Sequence, residues 1–553
     1  MMTPVNKRSL SEIRSSRTWI SLLVSLVAFG AGWAALTPGH QWGDDFALYV
    51  MQAQSLVQGE IDELLRQGTI TVRQSRYWTG PVLYPWGYPL LLAPVVAIWG
   101  GHIQAIKMVS VIAFSGTAAL MYAFYCRRFA STKALLLTLM IAVNPIMLKF
   151  LNNTESDIVF LFLAMLALTL LDAPCKGASE RRPLHIWLAV GGIAGIASAV
   201  RPNGVLLLPV IALAQFLEAR SCGLKVFSVR RADLVRYLAP YAVVAVVLLA
   251  VAITLPGGEG SHVKRYLESD WSRLPDNALY YAKTPVQFFG ATLVDYDLAK
   301  STAYVAWQSL LENGPLGIAS SFISKFSTLR NVFGWLAYWV TVPFLLCGIA
   351  TCGRRDAPAL VFAGLNLLLY VGSPFREIVR YFIPMVPLYI LFIATGTEWC
   401  WKHLATRYAT GMKRFELKAW VFLTLVFLAS TIVFVFRPDR PATHGVGPYD
   451  ALSQDMFAFV RQQSEPTDLI VFFKPRAMRL LSGRSTVFID PCDTCERCKY
   501  YAVHKFEYPS EAVFLKNAES CKDVSAFEPV FSNPAYTVYT RRQKTPDESH
   551  ALQ

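Results

Sequence analysis

Residues 18–49 read TWISLLVSLVAFGAGWAALTPGHQWGDDFALY: an apolar run from Trp19 to Leu36, then two adjacent carboxylates, Asp44 and Asp45. The run is long enough to cross a hydrocarbon core of about 30 Å. Acids at a membrane face are costly to desolvate and are kept there for chemistry or for a cation. The chain returns to apolar sequence through Tyr84-Pro85-Trp86-Gly87-Tyr88-Pro89, so residues 38–104 read as a loop outside the membrane.

The rest of the 553 residues agrees with a membrane class: 54% are apolar and only 16% are charged, where soluble domains carry nearer a quarter. The net charge of +14 does not signal nucleic acid, because the basic residues cluster between apolar runs instead of interleaving with aromatics on a soluble face. The basic start (Lys7, Arg8, Arg14, Arg17) precedes a run too long for a cleaved signal, and it reads as a retained first helix.

Apolar segments that could span fall at 18–37, 105–126, 134–150, 158–172, 185–200, 203–217, 237–255, 333–351, 357–373, 380–397 and 418–436, with a shorter run at 88–100. This predicts a polytopic α-helical protein of about eleven spans. Basic linkers (Arg127/Arg128, Arg181/Arg182, Arg220/Arg230/Arg231, Arg354/Arg355, Lys402/Lys413) alternate with acidic ones. The positive-inside rule puts the basic set in the cytoplasm with the N-terminus. The acid pair, Glu155 and Asp157, the Arg201-Pro202-Asn203-Gly204 break, a loop over 256–332 and Arg376-Glu377 then share the outer face. Residues 1–436 form the membrane domain in this reading. Residues 437–553 form a small outer α/β domain, with a helix over Tyr449–Gln463 and strands near 469–473, 486–489 and 536–539.

Four groups could carry chemistry. Asp44 and Asp45 are expected to begin a surface-lying amphipathic helix, as caps, as a general base or as ligands of a divalent cation. Glu155 and Asp157 open the helix starting at Ile158, with Thr154 and Ser156 as candidate caps. Arg376 and Arg380 stand four apart on one helical face, and with Arg201 they suit a phosphate; Lys325 and Arg330 are weaker basic candidates on that side. Cys492, Cys495, Cys498 and Cys521 fit two disulfides, or else a structural zinc site.

This layout resembles the GT-C glycosyltransferases, in the branch of the protein mannosyltransferases and aminoarabinose transferases. The family's Asp-Glu appears as Asp44-Asp45, departing in its second residue. The resemblance implies a polyprenyl-phosphate sugar as donor and a lipid, glycan or protein acceptor. It implies Asp44 as general base with Asp45 in support, Asp157 in the second acidic position, and Arg376 and Arg380 near the donor phosphate. The run Phe473-Lys474-Pro475-Arg476, with Ser482-Gly483-Arg484, resembles the outer domain of bacterial members, and a bacterial inner membrane is the expected location. The expected activity is inverting transfer of a hexosyl or pentosyl group in the cell envelope, with no cofactor demanded beyond a conceivable divalent cation. The alternatives are a lipid-linked-sugar transporter or flippase, and a non-catalytic scaffold. Transporters favour repeated halves and ionisable groups at mid-membrane, and neither is visible here.

Overall fold

A computed structural model describes residues 7–172, 181–222, 231–257, 271–282, 335–373, 378–404, 409–436, 447–505 (without 492, 494 and 496), 510–520 and 527–541. The membrane part opens with α1 (Lys7–Ala35), α2 (Asp44–Gln58), α3 (Ile61–Gln74), α4 (Gly87–Trp99) and α5 (Ile103–Tyr125). It continues with α6 (Ser131–Ala142), α7 (Pro145–Phe150), α8 (Asp157–Leu171), α9 (Leu184–Val200), α10 (Leu207–Ser221) and α11 (Arg231–Thr254). Later helices cover Trp335–Ala350, Ala357–Val371, Val386–Leu404 and Ala409–Phe436.

The fold is thus a polytopic helical membrane bundle with a small sheet domain at its end. Among the described residues, every expected span falls mainly on helix. Among the described residues, five helical stretches are long and apolar enough to cross a membrane by themselves, and several others are shorter apolar helices. The segment 134–150 is two helices instead of one. Asn144 Oδ1 accepts the N–H groups of Ile146 (2.9 Å) and Met147 (3.3 Å), and Pro145 sits at N1, so a new helix starts where an unbroken one was expected.

Ion pairs sort the linkers to two ends of the bundle. Asp172, after α8, receives Arg128 at 2.8 Å and Arg127 at 3.2 Å from the end of α5, and Arg355 at 2.8 Å. Arg182, before α9, pairs with Glu218 near the end of α10 at 2.7 Å. The other ends of α5, α8, α9 and α10 carry Lys107, Asp157, Arg201 and the Pro202–Leu206 turn. Basic and acidic linkers therefore occupy opposite ends, as their charge alternation requires.

At the acidic end lies a mixed five-stranded sheet in the order β2-β1-β3-β5-β4: β1 (Leu469–Val471), β2 (Ser485–Val487), β3 (Cys498–His504), β4 (Phe527–Ser532) and β5 (Tyr536–Arg541). β1 runs parallel to β2 and β3, and β3-β5-β4 is antiparallel. Helices Ala451–Gln463 and Pro475–Ser482 pack with it. Cys495 and Cys498 form a disulfide, which removes both thiols from any zinc set. Cys492 and Cys521 lie outside the described residues, as do Arg376, Lys325, Arg330 and most of the 256–332 loop.

The stretch 38–104 packs against both bundle and sheet. Trp42 packs edge-on against Phe457 and Phe472 of the sheet domain's core. Thr71 Oγ1 donates to the Thr486 carbonyl at 2.9 Å, and the N–H groups of Arg76 and Tyr77 donate to the Phe488 carbonyl. The expected surface helix is instead α2, with Phe46 to Ala53 buried. An apolar set of Phe46, Ala47, Ile103 and Ala477 closes the seam between them.

Candidate functional site

Three segments, far apart in sequence, deliver carboxylates to one guanidinium. Arg380 pairs with Asp45 through Nη1 at 2.9 Å, and through Nε with Asp157 at 3.0 Å and Glu155 at 3.2 Å. The other Asp157 oxygen accepts from Arg201. Each residue is placed by local structure. Asp45 is in the first turn of α2, Asp157 begins α8, and Arg201 ends α9. Arg201 is held out by the turn Pro202–Leu206, which folds so tightly on α9 that a Cβ on Gly204 would overlap the backbone of Ala197 and Ser198. Arg380 lies in the short helix Ile378–Phe382.

Aromatic residues wall the cluster. Tyr84 donates its hydroxyl to Asp45 Oδ1 at 2.5 Å. Gln52 fixes that tyrosine by pairing with both its backbone groups, at 2.9 and 3.1 Å. Tyr49 stacks on Tyr84 with centroids 4.8 Å apart, meets Tyr88 edge-on, and its hydroxyl lies 3.2 Å from Ser156 Oγ. Tyr381 stacks on Tyr370 at 4.7 Å, and Asn203 donates to the Tyr370 hydroxyl at 2.7 Å.

A second network locks the two acidic segments together. His40 Nε2 accepts the Thr154 N–H at 3.0 Å, and Nδ1 lies 2.8 Å from the Gln41 carbonyl, which fixes a neutral ring with its proton on Nδ1. Burial holds that imidazole down to about 3. Buried Lys107 donates to the carbonyls of Thr37 (2.9 Å) and Gly39 (2.6 Å). Thr154 and Ser156, expected as caps of α8, serve here instead: Thr154 binds His40, and Ser156 makes no cap hydrogen bond.

The acid pair splits its work. Asp45 belongs to the arginine cluster, whereas Asp44 Oδ1 accepts the N–H groups of Arg476 (3.1 Å) and Ala477 (3.3 Å), at the start of the sheet-domain helix Pro475–Ser482. The N-cap of α2 itself is Gly43, so neither acid caps its own helix. Burial pushes Asp44 up to about 6, against the pull of Arg476 and Lys474. Burial also acts upward on Asp45, but Arg380 and the Tyr84 hydrogen bond outweigh it and hold it at about 2. Glu155 is pushed up to about 7 by burial, with the repulsion of Asp157 and Asp45 opposing the attraction of Arg380. Three carboxylates thus face two guanidiniums, and Glu155 is the one poised to hold a proton near neutrality. Perturbed acids gathered this way make the cluster a candidate functional site.

The fold that carries this cluster is shared with solved structures. ArnT from Cupriavidus metallidurans, bound to undecaprenyl phosphate, is 13% identical over 94% of this chain and 98% of its own, with a TM-score of 0.53. The chain has the GT-C fold. The Archaeoglobus fulgidus oligosaccharyltransferase, tethered to an acceptor peptide, shares this GT-C fold at a TM-score of 0.55, with 13% identity over 95% of this chain and 74% of its own. The archaeal oligosaccharyltransferase AglB from Archaeoglobus fulgidus, in complex with an inhibitory peptide and a dolichol-phosphate, matches at a TM-score of 0.51, with 13% identity over 95% of this chain and 75% of its own. A family model described as dolichyl-phosphate-mannose-protein mannosyltransferase matches residues 83–256. No curated protein matches by sequence.

Of the residues singled out from sequence, Asp45, Glu155, Asp157, Arg201 and Arg380 meet in one cluster, Asp44 lies beside it facing the sheet domain, and Arg376 is outside the described residues. Among the described residues no set of three His, Cys, Asp or Glu is arranged to hold a metal ion, because the acids are turned to arginines. Sequence reasoning gave no role to Tyr84, His40, Gln52 or Lys107. Tyr84 stands in the quoted aromatic return, and buried Lys107 within an apolar helix was the other available signal.

Proposed function

We propose that this protein is an inverting glycosyltransferase of the membrane that moves a sugar from a polyprenyl-phosphate donor to an acceptor hydroxyl or amine. The observation that carries this reading is Arg380, held at once by Asp45, Glu155 and Asp157 at the sheet-domain end of the bundle. An isoprenoid tail lies between helices while its phosphate and sugar reach this end. Arg380 and Arg201 receive the phosphate and stabilise its charge as it leaves. Asp45 takes the acceptor's proton, the acceptor atom bonds to the anomeric carbon, and the bond from that carbon to the phosphate oxygen breaks with its electron pair going to phosphate.

Asp45, and not Asp44, is the base in this proposal, because Asp44 Oδ1 is engaged by two backbone N–H groups of the sheet domain. A carboxylate near 2 is a weak base at rest. Donor binding removes that restraint: once phosphate shares Arg380, Asp45 loses its strongest attraction and its proton affinity rises. The same reading places the acidic end outside the cytoplasm, most simply outside a bacterial inner membrane.

The test uses the full chain in lipid nanodiscs with radiolabelled undecaprenyl-phosphate sugars and a crude envelope extract as acceptor source. Transfer that is abolished by Asp45→Asn supports the reading. Transbilayer movement of label without transfer identifies a transporter, and neither activity identifies a scaffold; each overturns it.

A further inference from the structure

The first turn of α2 divides its two acids between two bodies, Asp45 to the bundle and Asp44 to the sheet domain. The next residues along that contact cross the seam in the other direction. Arg476, only 4% exposed, leaves the sheet-domain helix and enters the loop that carries Tyr84. Its Nη2 donates to the Pro81 carbonyl, and its guanidinium carbon stands 5.5 Å from the centroid of the Tyr84 ring. Gly80 makes room for it. That glycine has φ of +91°, and a Cβ there would come within 2.7 Å of Nη1. Two independent constraints thus reserve position 80 for glycine: a left-handed backbone and the guanidinium pressed on it.

Arg476 Nη1 is buried with no hydrogen-bond partner among the described residues. A neutral side chain of similar length would pin the loop without burying such a donor, so what distinguishes arginine here is its flat cation against a ring. That ring belongs to the tyrosine whose hydroxyl binds Asp45 at 2.5 Å. The chain of contacts is short: Arg476 to Tyr84, Tyr84 to Asp45, Asp45 to Arg380. The Asp44 contact to the Arg476 and Ala477 N–H groups fixes the origin of the arginine from below.

We infer that Arg476 is a positioning residue for the acid–arginine cluster, so that the site is complete only while the C-terminal domain is seated on the loop. Arg476 touches no reacting atom. It sets where the Tyr84 hydroxyl sits, and thereby the orientation of the Asp45 carboxylate. The inference rests on the glycosyltransferase reading for its kinetic consequence, and on contacts alone for its structural one.

The experiment compares the full chain with Arg476→Ala and Arg476→Lys in nanodiscs, by hydrogen exchange and by transfer from undecaprenyl-phosphate sugar. Exchange in residues 80–90 and 44–50 is expected to rise in Arg476→Ala while helices α5 and α8 keep wild-type protection. The turnover number is expected to fall about a hundredfold, the effect of a misplacement on the order of 1 Å, with the KM for donor changed less than about threefold. Added guanidinium ion is expected to restore part of the turnover in Arg476→Ala, and Arg476→Lys to retain more of it than Arg476→Ala. Unaltered exchange in 80–90 overturns the inference. So does lost turnover that is recovered neither by added guanidinium nor in the Arg476→Lys variant, which would mark a purely structural staple. A wild-type chain that turns over none of the donors rejects the glycosyltransferase reading, and the exchange result still decides the positioning of the loop.

Discussion

Replacing Asp45 by asparagine isolates the charge that the proposed reaction needs. The amide keeps an oxygen to accept from Tyr84 and loses the ionic attraction of Arg380 together with the hydrogen bond from its Nη1. Arg380 retains Asp157 and Glu155, and Arg201 retains Asp157, so two guanidiniums then face two carboxylates and the cluster is no worse balanced than before. Folding and insertion should therefore survive. Loss of a general base lowers rate by about a hundred- to ten-thousand-fold. At about 1.36 kcal/mol per decade this is ~2.7–5.4 kcal/mol of transition-state stabilisation. Asp44→Asn makes the informative comparison. It preserves an acceptor for the Arg476 and Ala477 N–H groups, and turnover should fall no more than about tenfold, at most one decade of that same scale. The assay is single-turnover transfer of labelled sugar at saturating donor, with circular dichroism and size exclusion as checks on the fold. If Asp44→Asn is the more damaging of the two, or if Asp45→Asn turns over normally, the assignment of the base is wrong.

Further outcomes follow from the same geometry. Glu155 is neutral below about 7 and charged above it, and in the charged form three carboxylates confront an incoming phosphate with only two guanidiniums. Affinity for undecaprenyl phosphate, measured by ligand-induced thermal stabilisation, should therefore weaken as pH rises through about 7, and Glu155→Gln should flatten that dependence. Arg380→Lys substitutes one compact ammonium for a fork that reaches three acids, and transfer should fall at least about a hundredfold with weakened phosphate binding. Full activity in that variant would contradict the donor role of Arg380. His40→Phe preserves the ring stacked 3.9 Å from Phe46 and leaves the buried Thr154 N–H without its acceptor. That loss is worth about 1–3 kcal/mol and should lower the thermal midpoint in nanodiscs; an unchanged midpoint would show that the link is dispensable.

Much of this architecture is legible in the chain, because a bilayer leaves few options. Apolar length and alternating charge put Asp45, Glu155, Asp157, Arg201 and Arg380 at one end of the bundle before any contact is known. What pattern could not supply was the partition between neighbours. Asp44 and Asp45 are chemically identical and adjacent, and only the positions of Arg380 and the Pro475–Ser482 helix tell them apart. The amphipathic pattern of α2 was read as a helix on a water surface, yet its polar groups meet a protein partner: a buried glutamine on a tyrosine backbone looks the same in sequence as a solvated one. The Asn144-Pro145 break was readable from capping chemistry alone, and was masked by the hydropathy on either side of it.

Trp42 reaches into a core built from residues made more than four hundred positions later in the chain. During synthesis the first loop must therefore wait, threaded and uncovered, until nearly every helix has been inserted. A product cut short after Phe436 would keep the arginines and acids of the bundle while exposing the indole and the apolar seam around Phe46 to water. Trimming this protein to its membrane part therefore leaves uncovered the apolar surface on which its first loop is seated.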